Sequence, residues 1–216
     1  MSKRAASILL ICLGSLLIVS AVALLGYNMW DDSRAQSEVE SVMEQIEQLM
    51  PSETKEGIWP EATIDPDSLF SGELIPDYIL NPNMDMPTEL IGEYRYIGVV
   101  EAPTIELKMP VMETWSYPQM KISPCRYVGS VYQGKMVICG HNYASHFGRL
   151  KNLQVGDPVY FTDMHGNVFR YRVKQKENIH GYDIDAMQTG DWALSLFTCT
   201  YNGVYRVTIR CEQDMN

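Results

Sequence analysis

The chain reads LSLFTCTYNGVYRVTIRC from Leu194 to Cys211, with two runs of β-forming residues on either side of Asn202-Gly203. Asn-Gly favours a two-residue hairpin turn, because a type I′ turn needs positive φ at both central residues. Such a turn would set Cys199 directly opposite Arg206, with their Cβ atoms about 4.5–5.5 Å apart. The sequence therefore predicts a β-hairpin that carries a thiol beside a guanidinium.

A cysteine beside an arginine has chemical meaning. The thiolate is the reactive form of cysteine, and a nearby cation lowers the pKa of a thiol. Arginine cannot act as a base, but its fixed donors suit a carbonyl that becomes an oxyanion. The other interpretation is a core cysteine that faces an exposed arginine. Arg210 shares the face of Arg206 but falls opposite Ser195, so Arg206 is the better candidate for an oxyanion stabiliser.

A covalent reaction at Cys199 also needs a residue that moves protons, and histidine is the usual choice. Of the four histidines, His141 directly follows the apolar run Val137-Ile138-Cys139-Gly140, at the end of a predicted strand. A rigid strand end holds a side chain in a defined position, which favours His141. The other three lie in polar or loop-like sequence: His146, His165 and His180.

From residue 95 onward, short β-like runs alternate with turns. Such runs lie at 96–100, 104–109, 136–139, 159–162 and 168–173, and Pro110 is expected to close the second. The polar residues and glycine between 163 and 167 are typical of a hairpin turn. Many short strands without a long helical interval predict a mainly β domain over residues 91–216, as a barrel or a sandwich.

The N-terminus predicts a membrane anchor. Lys3-Arg4 precedes an uncharged apolar run from Ala5 to Leu25, and Asp31-Asp32 follows it. About 20 such residues span the hydrocarbon core as a helix, and basic residues before the span place the N-terminus in the cytoplasm. A cleaved signal peptide is the alternative, because Ala21-Val22-Ala23 offers a cleavage site. The apolar run is longer than a typical signal peptide needs, so residues 1–30 are interpreted as a cytoplasmic tip and an uncleaved anchor.

Residues 31–90 are predicted to form an acidic stalk helix and a proline-rich segment. They carry fifteen acids against Arg34 and Lys55. Apolar residues at helical spacing, a capping-box pattern at Ser33, and Pro51 predict a helix over about 33–50. Six prolines then interrupt regular structure, yet the segment is too apolar for a solvated linker. It is expected to pack on the surface of the domain or to cover a binding groove as a lid.

Net charge and cysteine spacing argue against nucleic-acid partners and against metal sites. The 216 residues carry a formal net charge of −10, without the basic face of a nucleic-acid-binding protein. The four cysteines outside the anchor show neither a dense disulfide framework nor metal-ligand spacing: Cys125, Cys139, Cys199 and Cys211. We therefore expect no nucleic acid, no metal and no cofactor, and contact with membrane lipid through residues 5–25.

Three separated motifs resemble the sortase family of cysteine transpeptidases. Ser195-Leu196-Phe197-Thr198-Cys199 is similar to the Thr-Leu-x-Thr-Cys signature of sortases, and Arg206 follows it at a plausible interval. The segment from Tyr96 to Val111 looks like their first strands. The histidine region of sortases is resembled by three runs, Val137–Asn142, Phe147–Leu150 and Leu153–Asp157. The resemblance covers about residues 95–212, and an N-terminal anchor also fits it.

This resemblance implies a fold, an activity and a site. The fold would be the closed eight-stranded sortase β-barrel with short helices. Cys199 would attack a Leu-Pro-x-Thr-Gly-like sorting signal, His141 would move protons, and Arg206 would stabilise the oxyanion. Thr198 and Thr200 would line the substrate groove. The implied partners are surface proteins with a C-terminal sorting signal and an amine from a peptidoglycan precursor or a pilin lysine, outside the cell membrane.

Some features depart from the family pattern. Ser195 stands where threonine is usual, Cys139 stands where a small residue is common, and the interval from Cys199 to Arg206 is short. The short interval favours a class B-like or class D-like member. A disulfide between Cys139 and Cys199 is conceivable but disfavoured. Two alternatives remain: a non-enzymatic, membrane-tethered β-domain that binds a ligand, and, less favoured, an L,D-transpeptidase, since that class keeps its histidine and cysteine close in sequence.

Overall fold

The computed structural model describes residues 3–57, 59 and 75–214. Its strands are β1 (Lys55–Glu56), β2 (Glu89–Ile91), β3 (Tyr94–Ala102), β4 (Leu107–Met112), β5 (Cys125–Ser130), β6 (Lys135–Gly140), β7 (Pro158–Asp163), β8 (Asn167–His180), β9 (Leu194–Cys199) and β10 (Tyr205–Gln213). Its α-helices are α1 (Lys3–Leu49), α2 (Asp77–Leu80), α3 (Tyr117–Met120) and α4 (Ile184–Gln188). Three short 3₁₀ helices span Pro103–Ile105, Val131–Gln133 and Phe147–Asn152.

Eight of the strands close into a barrel. Hydrogen-bonded neighbours run in the order β8, β10, β9, β6, β5, β4, β3, and β7 completes the circuit by pairing with both β3 and β8. The short strands β1 and β2 add to β8 and β3 outside this circuit. Closure gives each of the eight barrel strands a hydrogen-bonded neighbour on both sides, although β4 and β5 pair over a short stretch only. The mainly β, eight-stranded barrel predicted from the resemblance is confirmed.

The second predicted strand is shifted toward the C-terminus, because residues 103–105 form a 3₁₀ helix and β4 begins at Leu107. Pro110 does not close it, because β4 continues to Met112 and Pro110 pairs with Val99 of β3. On its other side, β4 pairs with β5 only at Met112 and Cys125. A proline lacks an N–H donor and is tolerated where a strand has an edge. The expectation that Pro110 ends the strand was therefore wrong.

One helix, α1, joins the apolar segment to the acidic stalk without interruption. The predicted helix start at Ser33 is wrong, because Ser33 lies inside α1 and its carbonyl accepts a hydrogen bond from Ser37 Oγ (3.1 Å). Extending an existing helix costs less than forming a new helical nucleus, and α1 contains no proline. By length and composition, the helix from Leu10 could cross a membrane, with a mean hydropathy of 2.4 over its most apolar stretch.

The C-terminal part of α1 packs on the barrel through its apolar stripe. Ala35 and Ile46 are completely buried, and Val39 is nearly so. Near the end of the helix, Glu47 accepts a 3.0 Å ion-paired hydrogen bond from Lys108 of β4. The stripe that was predicted from helical spacing is thus covered in part, because Leu49 at the end of the helix is 52% exposed.

The described part of the proline-rich segment also packs on the barrel. The ring centroid of Trp59 lies 5.3 Å from that of Phe169 and 5.1 Å from that of Tyr171. Tyr78 of α2 stacks on Tyr132 with a centroid separation of 4.3 Å. Residues 58 and 60–74, which include much of the candidate lid, lie outside the described residues.

Candidate active site

The hairpin of β9 and β10 sets Cys199 directly opposite Arg206, as predicted. The turn between them differs from the prediction. Thr200 accepts a hydrogen bond from Gly203 N (2.8 Å), and only Gly203 of the two expected turn residues has positive φ (69°). The connection is therefore a four-residue loop rather than a two-residue type I′ turn. The predicted and the observed loop are both centred between Asn202 and Gly203, so the predicted pairing of Cys199 with Arg206 is retained.

Strand β9 lies parallel to β6, and this pairing brings the candidate nucleophile to the candidate base. Gly140 is the partner of Thr198, so the next residues along the two strands are His141 and Cys199. Thr198 Oγ1 donates a 2.9 Å hydrogen bond to the Gly140 carbonyl and ties the two strand ends together. Parallel strands end at the same edge of a sheet, so His141 and Cys199 share one rim of the barrel.

His141 is half-buried at this rim. Its ring lies against the ring of Tyr143, with centroids 4.0 Å apart and an angle of 31° between the planes. Burial lowers the pKa of His141, with a smaller contribution from Lys121, while Asp31 and Asp32 act in the opposite direction. The Nδ1 atom has no hydrogen-bond partner among the described residues. The neutral imidazole is favoured, which is the form that accepts a proton.

The other histidines lie elsewhere. His146 lies in the loop that follows His141 and is completely buried, and burial lowers its pKa to about 4. His165 is exposed in the turn between β7 and β8, and His180 ends β8. Within the described residues, His141 is the histidine that the strand pairing places beside Cys199.

Arg206 is half-buried at the same rim. Its Nη1 donates to the carbonyl oxygens of Gly203 (2.9 Å) and Tyr205 (3.3 Å). The guanidinium lies against Gly181, where an added Cβ would come within 3.0 Å of Nη1. Gly181 thus lets the backbone approach the guanidinium closely. Nη1 is engaged by the turn, and an arginine has further donors on Nε and Nη2.

Two pockets meet at Cys199. The aromatic pocket, about 150 Å³, also contacts Arg206 and is lined mainly by Trp115, Tyr117, Tyr127, Phe197, Ile184 and Met187. The loop pocket, about 160 Å³, lies on the other side and is lined mainly by Asn142, Ala144, Lys151, Thr200 and Tyr201. A peptide could lie across both pockets with one carbonyl at Cys199.

The two threonines predicted to line the groove border the loop pocket. Thr198 is buried, and its hydroxyl is engaged by Gly140. Thr200 Oγ1 hydrogen-bonds Asn202 Oδ1 (2.7 Å) and the Tyr205 carbonyl (3.1 Å), which holds the turn. Both hydroxyls thus stabilise the scaffold around Cys199, and their contact with substrate stays a prediction.

Two site features were not visible in the sequence pattern. The first is Arg210, which is 2% exposed and donates to Glu177 Oε1 (2.8 Å) and Ser195 Oγ (2.9 Å). It also donates to the carbonyls of Met187 (3.0 Å) and Ala186 (2.5 Å) of α4, the helix that borders the aromatic pocket. Arg210 is thus a buried tie between the hairpin and one wall of the pocket.

The second feature is the contact of α1 with the loop after His141. Tyr143 Oη donates to Asp31 Oδ2, and Ser145 donates to Asp32 Oδ1 from both its backbone N (3.1 Å) and its Oγ (2.5 Å). The hydrogen bond from Tyr143 and the one from Arg34 hold the pKa of Asp31 below its usual value. As sequence, these aspartates served only as the charged flank of the apolar run.

The cysteines differ sharply in environment. Cys199 is half-buried, whereas Cys125, Cys139 and Cys211 are buried, and all are free thiols. Burial raises the pKa of Cys125 to about 12 and raises those of Cys139 and Cys211 further. The buried thiols are therefore held in the unreactive, protonated form.

A closed barrel that presents a half-buried cysteine, an arginine and a histidine at one rim has the arrangement of a cysteine-dependent acyl-transfer enzyme. The sequence profile of the sortase domain matches residues 100–214. The chain belongs to the sortase family and is a cysteine transpeptidase. No curated protein sequence matches it.

Solved sortase structures share the fold. A sortase D5 transpeptidase from Clostridium perfringens is 15% identical, with a TM-score of 0.52 over 84% of this chain and 99% of that one. Sortase C from the same organism, solved with the C-terminal cell wall sorting motif, is 23% identical, with a TM-score of 0.50 over 69% and 83%. Listeria monocytogenes sortase A is 20% identical, with a TM-score of 0.50 over 55% and 87%. These neighbours come from several classes, so the class B-like or class D-like assignment stays a prediction.

Proposed function

We propose that the chain is a membrane-anchored sortase that cleaves a Leu-Pro-x-Thr-Gly-like sorting signal and transfers the protein to an amine. The observation that carries this proposal is the convergence of Cys199, Arg206 and His141 at one rim. Their three side-chain types supply a nucleophile, an oxyanion donor and a proton carrier.

In the proposed reaction, the neutral imidazole of His141 takes the proton of the Cys199 thiol, and the resulting thiolate attacks the carbonyl carbon of the threonine in the sorting signal. The carbonyl oxygen becomes an oxyanion, and Arg206 donates to it through N–H groups that the turn leaves free. His141 gives a proton to the departing glycine amine, and a thioester remains on Cys199. An incoming amine then attacks the thioester carbonyl and His141 takes its proton. Cys199 leaves as the thiolate, to which His141 returns the proton.

The two pockets suggest how the sorting signal is oriented in the site. The aromatic pocket offers an apolar surface suited to the leucine and proline of the signal, and both Arg206 and Cys199 line it. The loop pocket lies on the opposite side of Cys199, where the glycine leaves and the amine must enter. We propose that the amine belongs to a peptidoglycan precursor or to a pilin lysine.

Membrane anchoring is part of the proposal. The basic pair Lys3-Arg4, the apolar residues 5–25 and the acidic pair that follows support a single span with the N-terminus in the cytoplasm. Protease added to intact protoplasts should then digest the barrel and leave the span. A mature protein that begins near Leu24 and is free in the medium would contradict the anchor.

The activity is tested with the full chain in lipid nanodiscs and a library of fluorogenic sorting peptides. Cleavage should require a Leu-Pro-x-Thr-Gly-like sequence, should stop in Cys199→Ala, and should leave a hydroxylamine-sensitive thioester on the wild-type chain. Added amine should divert the product from hydrolysis to transfer. If the wild-type chain cleaves no peptide in the library and Cys199 forms no thioester, the proposed function is wrong.

A further inference from the structure

We propose that Asp31, on α1, is a positioning residue for His141 and acts through Tyr143. The helix that carries the anchor would then be part of the catalytic apparatus rather than only a tether. This inference rests on the catalytic role proposed for His141.

The contacts form a continuous chain. The Tyr143 hydroxyl donates to Asp31 Oδ2, and the Tyr143 ring lies 4.0 Å, centroid to centroid, from the His141 ring. Asp31 is itself held by Arg34 Nη2 (2.9 Å), and Arg34 Nη1 donates to Glu38 (2.8 Å). One face of α1 thus fixes the tyrosine that packs against the imidazole.

His141 has little else to orient it. Its Nδ1 is buried and has no hydrogen-bond partner among the described residues. Catalytic histidines are commonly oriented by a hydrogen bond to this second nitrogen. Here the ring of Tyr143, tilted by 31° against the imidazole, packs on it and restricts its rotation instead.

The loop that carries Tyr143 is held against α1 at a second point. Ser145 bonds Asp32 through its backbone N and its hydroxyl. Gly148 lets the chain turn beneath this loop, because an added Cβ would lie 2.5 Å from the Tyr143 carbonyl oxygen. The loop therefore cannot shift independently of α1 without loss of these bonds.

Asp31 also contributes to the electrostatics of His141. The charged groups that act on the imidazole are Asp31 and Asp32 from α1, which raise its pKa, and Lys121, which lowers it. The loop residues Tyr143 and His146 also face this region, and the two rings lie 5.4 Å apart. Removal of Asp31 should therefore move the His141 titration to lower pH.

The test compares two contacts between α1 and the barrel in the full chain in nanodiscs. Asp31→Ala removes the hydrogen bond with Tyr143 next to His141, whereas Glu47→Ala removes the ion pair with Lys108 at the other end of the packed segment. We expect Asp31→Ala to lower kcat/KM for a sorting peptide about tenfold, since small misplacements of catalytic groups cost up to about 100-fold. The limb of the pH profile that reports His141 should move to lower pH, and Glu47→Ala should keep the wild-type rate and profile.

Two further variants separate geometry from charge. Tyr143→Phe keeps the ring but loses the bond to Asp31, and should lower kcat/KM without a comparable shift of the pH limb. Asp31→Asn keeps an oxygen that accepts from Tyr143, and should recover most of the rate while the limb stays shifted. These variants also serve if Asp31→Ala fails to fold.

The outcomes separate this inference from the proposed function. If the wild-type chain is active and both Asp31→Ala and Tyr143→Phe keep its rate and profile, Asp31 does not position His141. Rate losses that only follow the loss of thermal stability, and are equal in Glu47→Ala, would also overturn the inference. Absence of cleavage and thioester in the wild-type chain would instead refute the proposed function.

Discussion

Thr198 Oγ1 donates a 2.9 Å hydrogen bond to the carbonyl of Gly140, the residue before His141. The substitution Thr198→Val keeps the shape of the side chain and leaves that carbonyl without its partner. We expect a loss of about 1–3 kcal/mol of stability, and about a tenfold fall in kcat/KM, since small displacements of reacting groups are costly. Peptide cleavage and thermal melting measure both effects. Thr162→Val, in a buried position of β7, is the control. An equal loss of rate in this variant would show that the hydrogen bond from Thr198 to Gly140 does not specifically position His141.

Substitutions of Arg206 and Arg210 should have different effects: the first should lower turnover, and the second should lower stability and raise KM. Arg206→Ala should lower turnover by about 10²–10³, the usual cost of one oxyanion donor, with a nearly unchanged melting temperature. Arg206→Lys should recover little, because an ammonium lacks the planar fork.

Arg210→Ala breaks a buried ion pair and three further hydrogen bonds, so it should cost about 3–5 kcal/mol of stability. It should also raise KM, because α4 borders the aromatic pocket. Melting curves and steady-state kinetics on both variants provide the comparison. A normal melting temperature for Arg210→Ala, or a normal rate for Arg206→Ala, would contradict this division.

Thiol labelling should single out Cys199. The raised pKa values of the buried cysteines leave them protonated and shielded, so iodoacetamide should modify Cys199 at least about tenfold faster than Cys125, Cys139 or Cys211. Mass spectrometry of a Cys12→Ser background gives the rates, and labelling in guanidinium provides the reference in which all four react. Comparable labelling of Cys139 in the folded chain would show that the pocket admits solvent to it.

The free energy of unfolding should decrease as the pH is lowered, because of His146. Burial gives its folded form a pKa of about 4, below the usual value of 6.5, so the unfolded chain binds a proton that the folded chain does not. Folding is therefore favoured above pH 6.5, and the gain is lost as pH falls from 6.5 through 4, with a total on the order of 3 kcal/mol. His146→Gln should flatten this part of the stability curve, measured by denaturant unfolding, whereas the exposed His165→Gln should not. A wild-type slope in His146→Gln would assign the effect to other groups.

Two tryptophans should separate packing from substrate binding. Trp59→Ala should destabilise the barrel by about 3–5 kcal/mol without a change in peptide cleavage, because Trp59 packs on Phe169 and Tyr171. Trp115→Ala should instead raise KM with little change in stability, since Trp115 is 40% exposed in the aromatic pocket. Faster hydrolysis in Trp59→Ala would favour the lid hypothesis for the proline-rich segment.

Local sequence predicted the pairing of β9 and β10 well, and for a specific reason. The pairing of Cys199 with Arg206 depends only on where the loop is centred, so it survived an incorrect turn type. His141 was identifiable because a short apolar run ends just before it. The position of a strand end depends on residues that are neighbours in the sequence, so it can be predicted from one sequence.

Contacts between distant segments were not predictable in the same way. Asp31 and Tyr143 are separated by 112 positions, and nothing near either residue indicates the other. The burial of Arg210 was also missed, because its acceptors come from β8, β9 and α4, which meet only in the closed barrel. A charge on a strand is expected to face solvent unless its partners are known.

The continuity of α1 has a mechanical consequence. A helix of 47 residues is about 70 Å long and, without proline or a loop, transmits tilt and rotation as a rod. With its first half in a bilayer and its second half bonded to the barrel, the rod would fix the height and heading of Cys199 above the lipid. Encounters with substrates held in the same membrane would then occur in two dimensions, where the accessible volume is small and the effective concentration high. A flexible linker inserted at residue 30 should therefore lower the rate with membrane-held substrates and leave the rate with soluble peptides unchanged.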